Sequence, residues 1–172
     1  MKELFQILSK YNAKTNTEMV GILEKLTAEQ IAADARSFFG SILGLLNHIL
    51  VVDVMWLKRF CSQFPELAMI KPKLPEFQMK GWKEIIWPSL AVLKPIRLGV
   101  DEAIQQACEL LSEKQYDSVM EYKSWDGKDM KKTAWLVFLH LFNHQTHHRG
   151  QISLILDQMA IDNDYSGIVN KF

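Results

Sequence analysis

Apolar residues recur at intervals of three and four along most of this chain, the repeat of a helix that hides one face. They fall at Leu4, Ile7, Leu8, Tyr11, Met19, Ile22, Leu23 and Leu26 around a polar middle from Asn12 to Thr17, and predict a first helix over 4–26. Thr27-Ala28-Glu29-Gln30 has the form of a capping box, which opens either the next helix or a short turn before it. A long apolar segment, Phe38 to Leu57, predicts a second helix running to about Phe60. Pro65, Pro72 and Pro75 then remove amide donors, so 61–81 reads as an extended connection, long enough for the third helix to run parallel to the second. Leu90, Leu93, Ile96, Val100, Ile104, Ala107 and Leu111 predict that third helix, which Pro95 either kinks or begins. Alternation from Tyr116 to Tyr122 and the turn pair Asp126-Gly127 predict a small hairpin over about 117–131. A fourth helix starts near Lys132 or Thr133 and runs to Met159, and Ile168 to Phe172 form a short tail.

Four long amphipathic helices with one long crossover and a hairpin before the last describe an all-α four-helix bundle. At 172 residues, 48% hydrophobic, the chain suits a single domain, 1–172, with a sizeable core. Twenty basic and twenty acidic residues balance to a net charge of zero. That balance points to no nucleic-acid or membrane partner, and it favours self-association. Cys61 and Cys108 form no Cys-x-x-Cys pair and read as free thiols of a reducing compartment. The start carries Glu3 and no apolar secretory core, and the apolar run from Ile42 to Val52 is too short to cross a membrane, so the expected location is the cytoplasm.

The chemistry concentrates in 139–155, which holds His140, His144, His147 and His148. On a helix His144 and His148 share one face, aligned with Val137, Leu141, Ile155 and Met159, the stripe that turns to the core. His48 lies on the inward line of the second helix, with Leu45, Val52 and Met55. If these two helices face each other, the three imidazoles complete a divalent-metal site with one open position, the mark of a reactive centre. Core histidines with ordinary hydrogen bonds are the bland alternative, but one ion satisfies three buried imidazoles at once. Zinc or nickel suits neutral imidazole best, and iron also fits. His140 and His147 flank the face more widely, as neighbours of the ligands or replacements for one. Gln151, a turn beyond His148, is a candidate to orient a substrate. Ser41 and Gly44 either leave room beside the metal or allow close packing. Asn47 and Asn143 either brace helices or face solvent, and Arg149, turned from the metal face, is expected in a structural ion pair. Arg97 and Asp101, four apart, are expected to pair on an exposed surface, a contribution of only ~0.2–0.5 kcal/mol.

Asn143-His144-Gln145-Thr146-His147-His148-Arg149-Gly150-Gln151, with Leu46-Asn47-His48-Ile49-Leu50-Val51-Val52-Asp53 and then Trp56-Leu57, resembles the DinB family of bacterial damage-inducible proteins, within the DinB/YfiT-like superfamily. The Tyr11-Asn12 pair and the Arg97, Asp101 spacing are similar too, and the likeness runs from Leu4 to about Met159. Such proteins commonly have a glycine after the last helix, where this chain has Ala160. The resemblance implies an up-down-down-up bundle, often a homodimer, with a divalent metal on His48, His144 and His148. Members of that superfamily include thiol-dependent transferases and isomerases. The leading expectation is therefore a metal-dependent transferase joining a low-molecular-weight thiol to an electrophile. A metal-bound hydroxide acting as hydrolase is the second, with His140 or His147 as base for want of an inward carboxylate. The third is a non-catalytic, metal-stabilised dimeric stress-response scaffold: Trp135, Phe138 and Phe142 lie opposite Val137 and Leu141, so the last helix is apolar on both sides, for an interface or for packing within one subunit.

Overall fold

In the computed structural model, which describes residues 1–172, the buried positions of α1 (Lys2–Leu23) include a four-three repeat of Phe5, Ser9, Asn12, Asn16, Met19 and Leu23. The polar middle of this helix is therefore inside, while the apolar Leu4 and Ile7 are exposed. A five-residue helix, α2 (Ala28–Ala32), follows, opened by the Thr27–Gln30 capping box in both directions. The second long helix is α3 (Ile42–Gln63), whose start is set by Ser41, the side chain accepting the Gly44 amide at 3.1 Å. It begins four residues later than the apolar pattern suggests, because Phe38 and Phe39 belong to the turn before it, and Phe38 is exposed.

The proline-rich connection is not extended throughout. The helix continues past Cys61, and two 3-10 turns, Pro65–Leu67 and Lys71–Lys73, use the prolines in their first residues, where the missing amide costs little. Leu67, Ile70 and Leu74 fix this strap to the core. Ser89 then caps α4 (Leu90–Leu110), which runs through Pro95 in its second turn. Next comes α5 (Glu113–Tyr116), a single turn with its own capping box at Ser112 and Gln115. Tyr116 thus belongs to this turn and not to a strand: its ring packs 4.9 Å from Phe5 and 5.1 Å from Phe138.

The hairpin begins two residues later than the alternation implies. Strands β1 (Val119–Lys123) and β2 (Asp129–Thr133) pair antiparallel, with Glu121 opposite Lys131 and Lys123 opposite Asp129. Gly127, at φ 80°, takes the left-handed turn position that suits glycine. Met120 enters the core, and Tyr122, on the same face, packs its ring against Trp56 at 5.1 Å. The chain goes straight from β2 into α6 (Ala134–Gln158). The four long helices pack side by side, α1 against α4 and α6, and α3 against the same two. One apolar core runs through them; Phe60 stacks on Phe138 at 4.0 Å across the α3–α6 seam. Both cysteines are free and buried, and no helix is long and apolar enough to cross a membrane.

Candidate metal centre

The α3–α6 contact brings His48, His144 and His148 together. The Nε2 of His144 lies 3.0 Å from that of His48 and 3.1 Å from that of His148. Ligand atoms of all three lie within 4.8 Å of one another, the only such group of metal-ligating side chains in the chain. Protons alone do not satisfy this cluster. A neutral Nε2 either donates or accepts, so the central His144 makes at most one sound hydrogen bond and leaves its other neighbour without one. A divalent cation satisfies all three lone pairs at once, and the residues fit one.

The ring orientations are fixed from behind. His148 Nδ1 lies 2.7 Å from the Gln151 Oε1, which places the proton on Nδ1 and leaves Nε2 free to ligate. Through this bond Gln151 holds the His148 ring in place. Phe39 stacks on His48 at 4.0 Å and meets His148 edge-on at 5.4 Å. Gly44 is what lets Phe39 come so close: a Cβ there would stand 2.0 Å from the Phe39 carbonyl oxygen. Close packing, then, and not space for the metal, is the reason for Gly44. Burial holds the His48 imidazole down to about 4 and that of His144 to about 3; His148 is lowered too, chiefly by burial. All three are neutral at pH 7, as metal ligation requires.

Asn47, beside His48, is buried and braces α3 to the segment before α4. Its Oδ1 accepts the amides of Ile86 and Trp87 at 2.9 and 2.8 Å, and its Nδ2 donates to the Trp87 carbonyl at 3.0 Å. Asn143 is exposed. His147 is exposed as well, its ring 4.8 Å from that of His148, outside the convergent group. His140 stands 6.0 Å from His144, ring to ring, and 5.7 Å from Trp56, on the wall of a cavity of about 320 Å³ that reaches His48 and His144. Desolvation lowers the pKa of His140 too. The rest of that wall includes four aromatic side chains, Trp56, Trp82, Tyr122 and Trp125, and contains no carboxylate.

Directly behind the histidines lies a buried polar network that the sequence reading placed on the surface or did not see. Arg97 and Asp101 are only 2% and 3% exposed, not a surface pair. Arg97 binds Asp101 at 2.8 and 3.1 Å through two nitrogens and reaches Asp53 at 2.5 Å through the third. Asp101 also accepts from Asn16 at 2.9 Å, and Asn16 donates to Gln145 at 3.0 Å. Arg149 makes no ion pair, contrary to expectation: its guanidinium donates to the amide oxygens of Asn12, Asn16 and Gln145 and to the Thr146 hydroxyl. Two arginines and two aspartates thus balance inside one seam. The signal available beforehand was the four-three line in α1, which runs through Asn12 and Asn16 as it does through Phe5 and Met19.

Comparison with known proteins agrees with this geometry. Residues 1–161 match the model of the DinB family. Protein DinB of Bacillus subtilis (strain 168) is 24% identical over 153 residues, covering 88% of this chain and 83% of that protein. The crystal structure of a DinB-like protein from Bacillus cereus ATCC 10987 superposes over 89% of each chain with a TM-score of 0.53 at 17% identity, a likeness of fold. With the family model spanning nearly the whole chain and the paired Asn-His elements in place on α3 and α6, this protein belongs to the DinB family.

Proposed function

We propose that this protein is a metal-dependent transferase that joins a low-molecular-weight thiol to a small electrophile. The observation that carries the reading is the convergence of three neutral imidazoles, two of which, His48 and His144, line a cavity with no carboxylate in its wall. A divalent ion held there, zinc or nickel by ligand preference, would supply the positive charge that lets a thiol ionise near neutral pH. His48, His144 and His148 hold the ion, Gln151 fixes the His148 tautomer, and the aromatic wall keeps water from the electrophile. His140, whose lowered pKa leaves it neutral at pH 7, is placed to take the thiol proton. The thiolate sulfur then forms its bond to carbon as the leaving group departs with the bonding pair. Hydrolysis ranks lower, because the wall contains no carboxylate to activate and orient an attacking water.

The reading includes the up-down-down-up helix order, a cytoplasmic location and a homodimer. Leu136 and Leu139, 40% and 42% exposed on α6, support an interface on that helix. Elemental analysis of the wild type beside His48→Ala and His144→Ala, with light scattering on the same samples and thiol titration of the cobalt-substituted protein, tests it. About one metal per chain, lost in both variants and spectrally shifted by thiol, is the expected result. Metal indifferent to thiol leaves a scaffold or hydrolase, and no metal after reconstitution removes the centre.

A further inference from the structure

Arg59 is the one arginine or lysine in the wall of the 320 Å³ cavity. Its guanidinium lies 4.5 Å from the ring of Trp56 and 5.1 Å from that of Tyr122, and one terminal nitrogen donates to the Lys123 carbonyl at 2.8 Å. Its other nitrogens have no protein partner, and none of the chain's ion pairs includes it. Arg97, by contrast, holds two carboxylates. A half-buried guanidinium with an idle donor edge is a fork shaped for a carboxylate. Trp82 and Trp125, 4.6 Å apart, share the same wall, and so do His144 and His48, the latter about three turns back along α3 from Arg59.

We propose that this cavity binds a small organic acid, a flat aromatic or apolar body bearing one carboxylate, with the acid group on Arg59 and the body among the tryptophans. Its reacting end then faces the histidines, an orientation that rests on the transferase reading above. An aromatic box of this kind also suits an organic cation, but here Arg59 already covers the faces of Trp56 and Tyr122, and a second positive charge is repelled. Burial already works against the charge of Arg59, so an arriving carboxylate relieves a cost the free protein carries.

The test uses tryptophan fluorescence of the zinc-loaded protein titrated with 1-naphthylacetate, its uncharged amide, and 1-naphthylmethylammonium. The acid binds about 10-fold or more tighter than the amide, as expected for one charge-assisted pair. In Arg59→Met that advantage falls below about 2-fold while the amide binds as before, which also reports an intact pocket; Arg59→Lys keeps part of it. The advantage persists in the metal-free protein and in His144→Ala, so failure of the metal centre leaves this result standing. Equal binding of acid and amide overturns the proposal, as does a preference for the ammonium. So does an acid advantage that survives Arg59→Met or disappears with the metal, since the carboxylate then sits elsewhere.

Discussion

Gln151 illustrates how one side chain controls a site without entering it. Its carbonyl oxygen accepts from His148 Nδ1, and without it the imidazole is free to rotate or to take the other tautomer. Gln151→Leu is therefore expected to weaken metal binding by about 10–100-fold while leaving saturation at the same stoichiometry, as read by competition with a chromophoric chelator. An unchanged affinity means that packing against Phe39 alone orients the ring. Ala160 is a second residue under constraint. It sits at φ 55° just past α6, where the Ile161 amide bonds the Leu156 carbonyl and the Ala160 amide bonds that of Asp157, the two closures of a Schellman turn. A side chain there pays a steric cost that glycine avoids, so Ala160→Gly should raise stability by about 1 kcal/mol in urea unfolding despite the added backbone entropy. The three-histidine cluster was legible in the sequence because helical spacing alone aligns His144 with His148 and turns His48 inward. The part played by Gln151 was not, since periodicity places a side chain on a face without saying which neighbour its polar atoms meet.

The long helices were legible for the same reason, and their ends less so. Ser41 and Ser89 set starts through a single side-chain bond each and the Thr27 box through two, whereas the apolar count ran on through Phe38 and stopped short of Gln63. The larger miss is the charged seam among α1, α3, α4 and α6. Arg97 and Asp101 at a spacing of four look the same on an exposed helix as on a buried one, and only the partner Asp53, 44 residues away in sequence, distinguishes the two. This seam sets the register of the helices, since Arg97 on α4 engages α3 through Asp53, and Asn16 on α1 joins α4 to α6 through Asp101 and Gln145. Removing one member leaves an uncompensated buried charge. Asp53→Ala should accordingly cost about 3–5 kcal/mol, and Asp53→Asn, which keeps a hydrogen-bond acceptor for Arg97, should cost less. Equal, small losses in chemical denaturation imply that Asp101 alone satisfies Arg97.

Because the histidine centre and the charged seam lie back to back in one core, acid acts on both at once and in opposite senses. Burial pushes the Asp53 carboxyl up to about 7 against the pull of Arg97. The folded state therefore gains relative stability from that group as pH falls from about 7 toward the unfolded carboxylate value near 4. His144 does the reverse. Its folded pKa of about 3 lies below the ordinary 6.5, so on acidification the unfolded chain takes the proton first. The stability contributed by keeping His144 neutral is present above about pH 6.5 and is lost progressively down to about 3. A single unfolding curve mixes these trends, but a comparison separates them, because Asp53 is common to both proteins. With a chelator present throughout, wild type and His144→Ala are unfolded in urea at intervals from pH 7 to pH 4. The variant should show the flatter loss of stability on acidification, since it lacks the most strongly depressed imidazole. Parallel curves place the His144 pKa near its unfolded value, which requires water to reach its ring from the aromatic cavity in the metal-free protein.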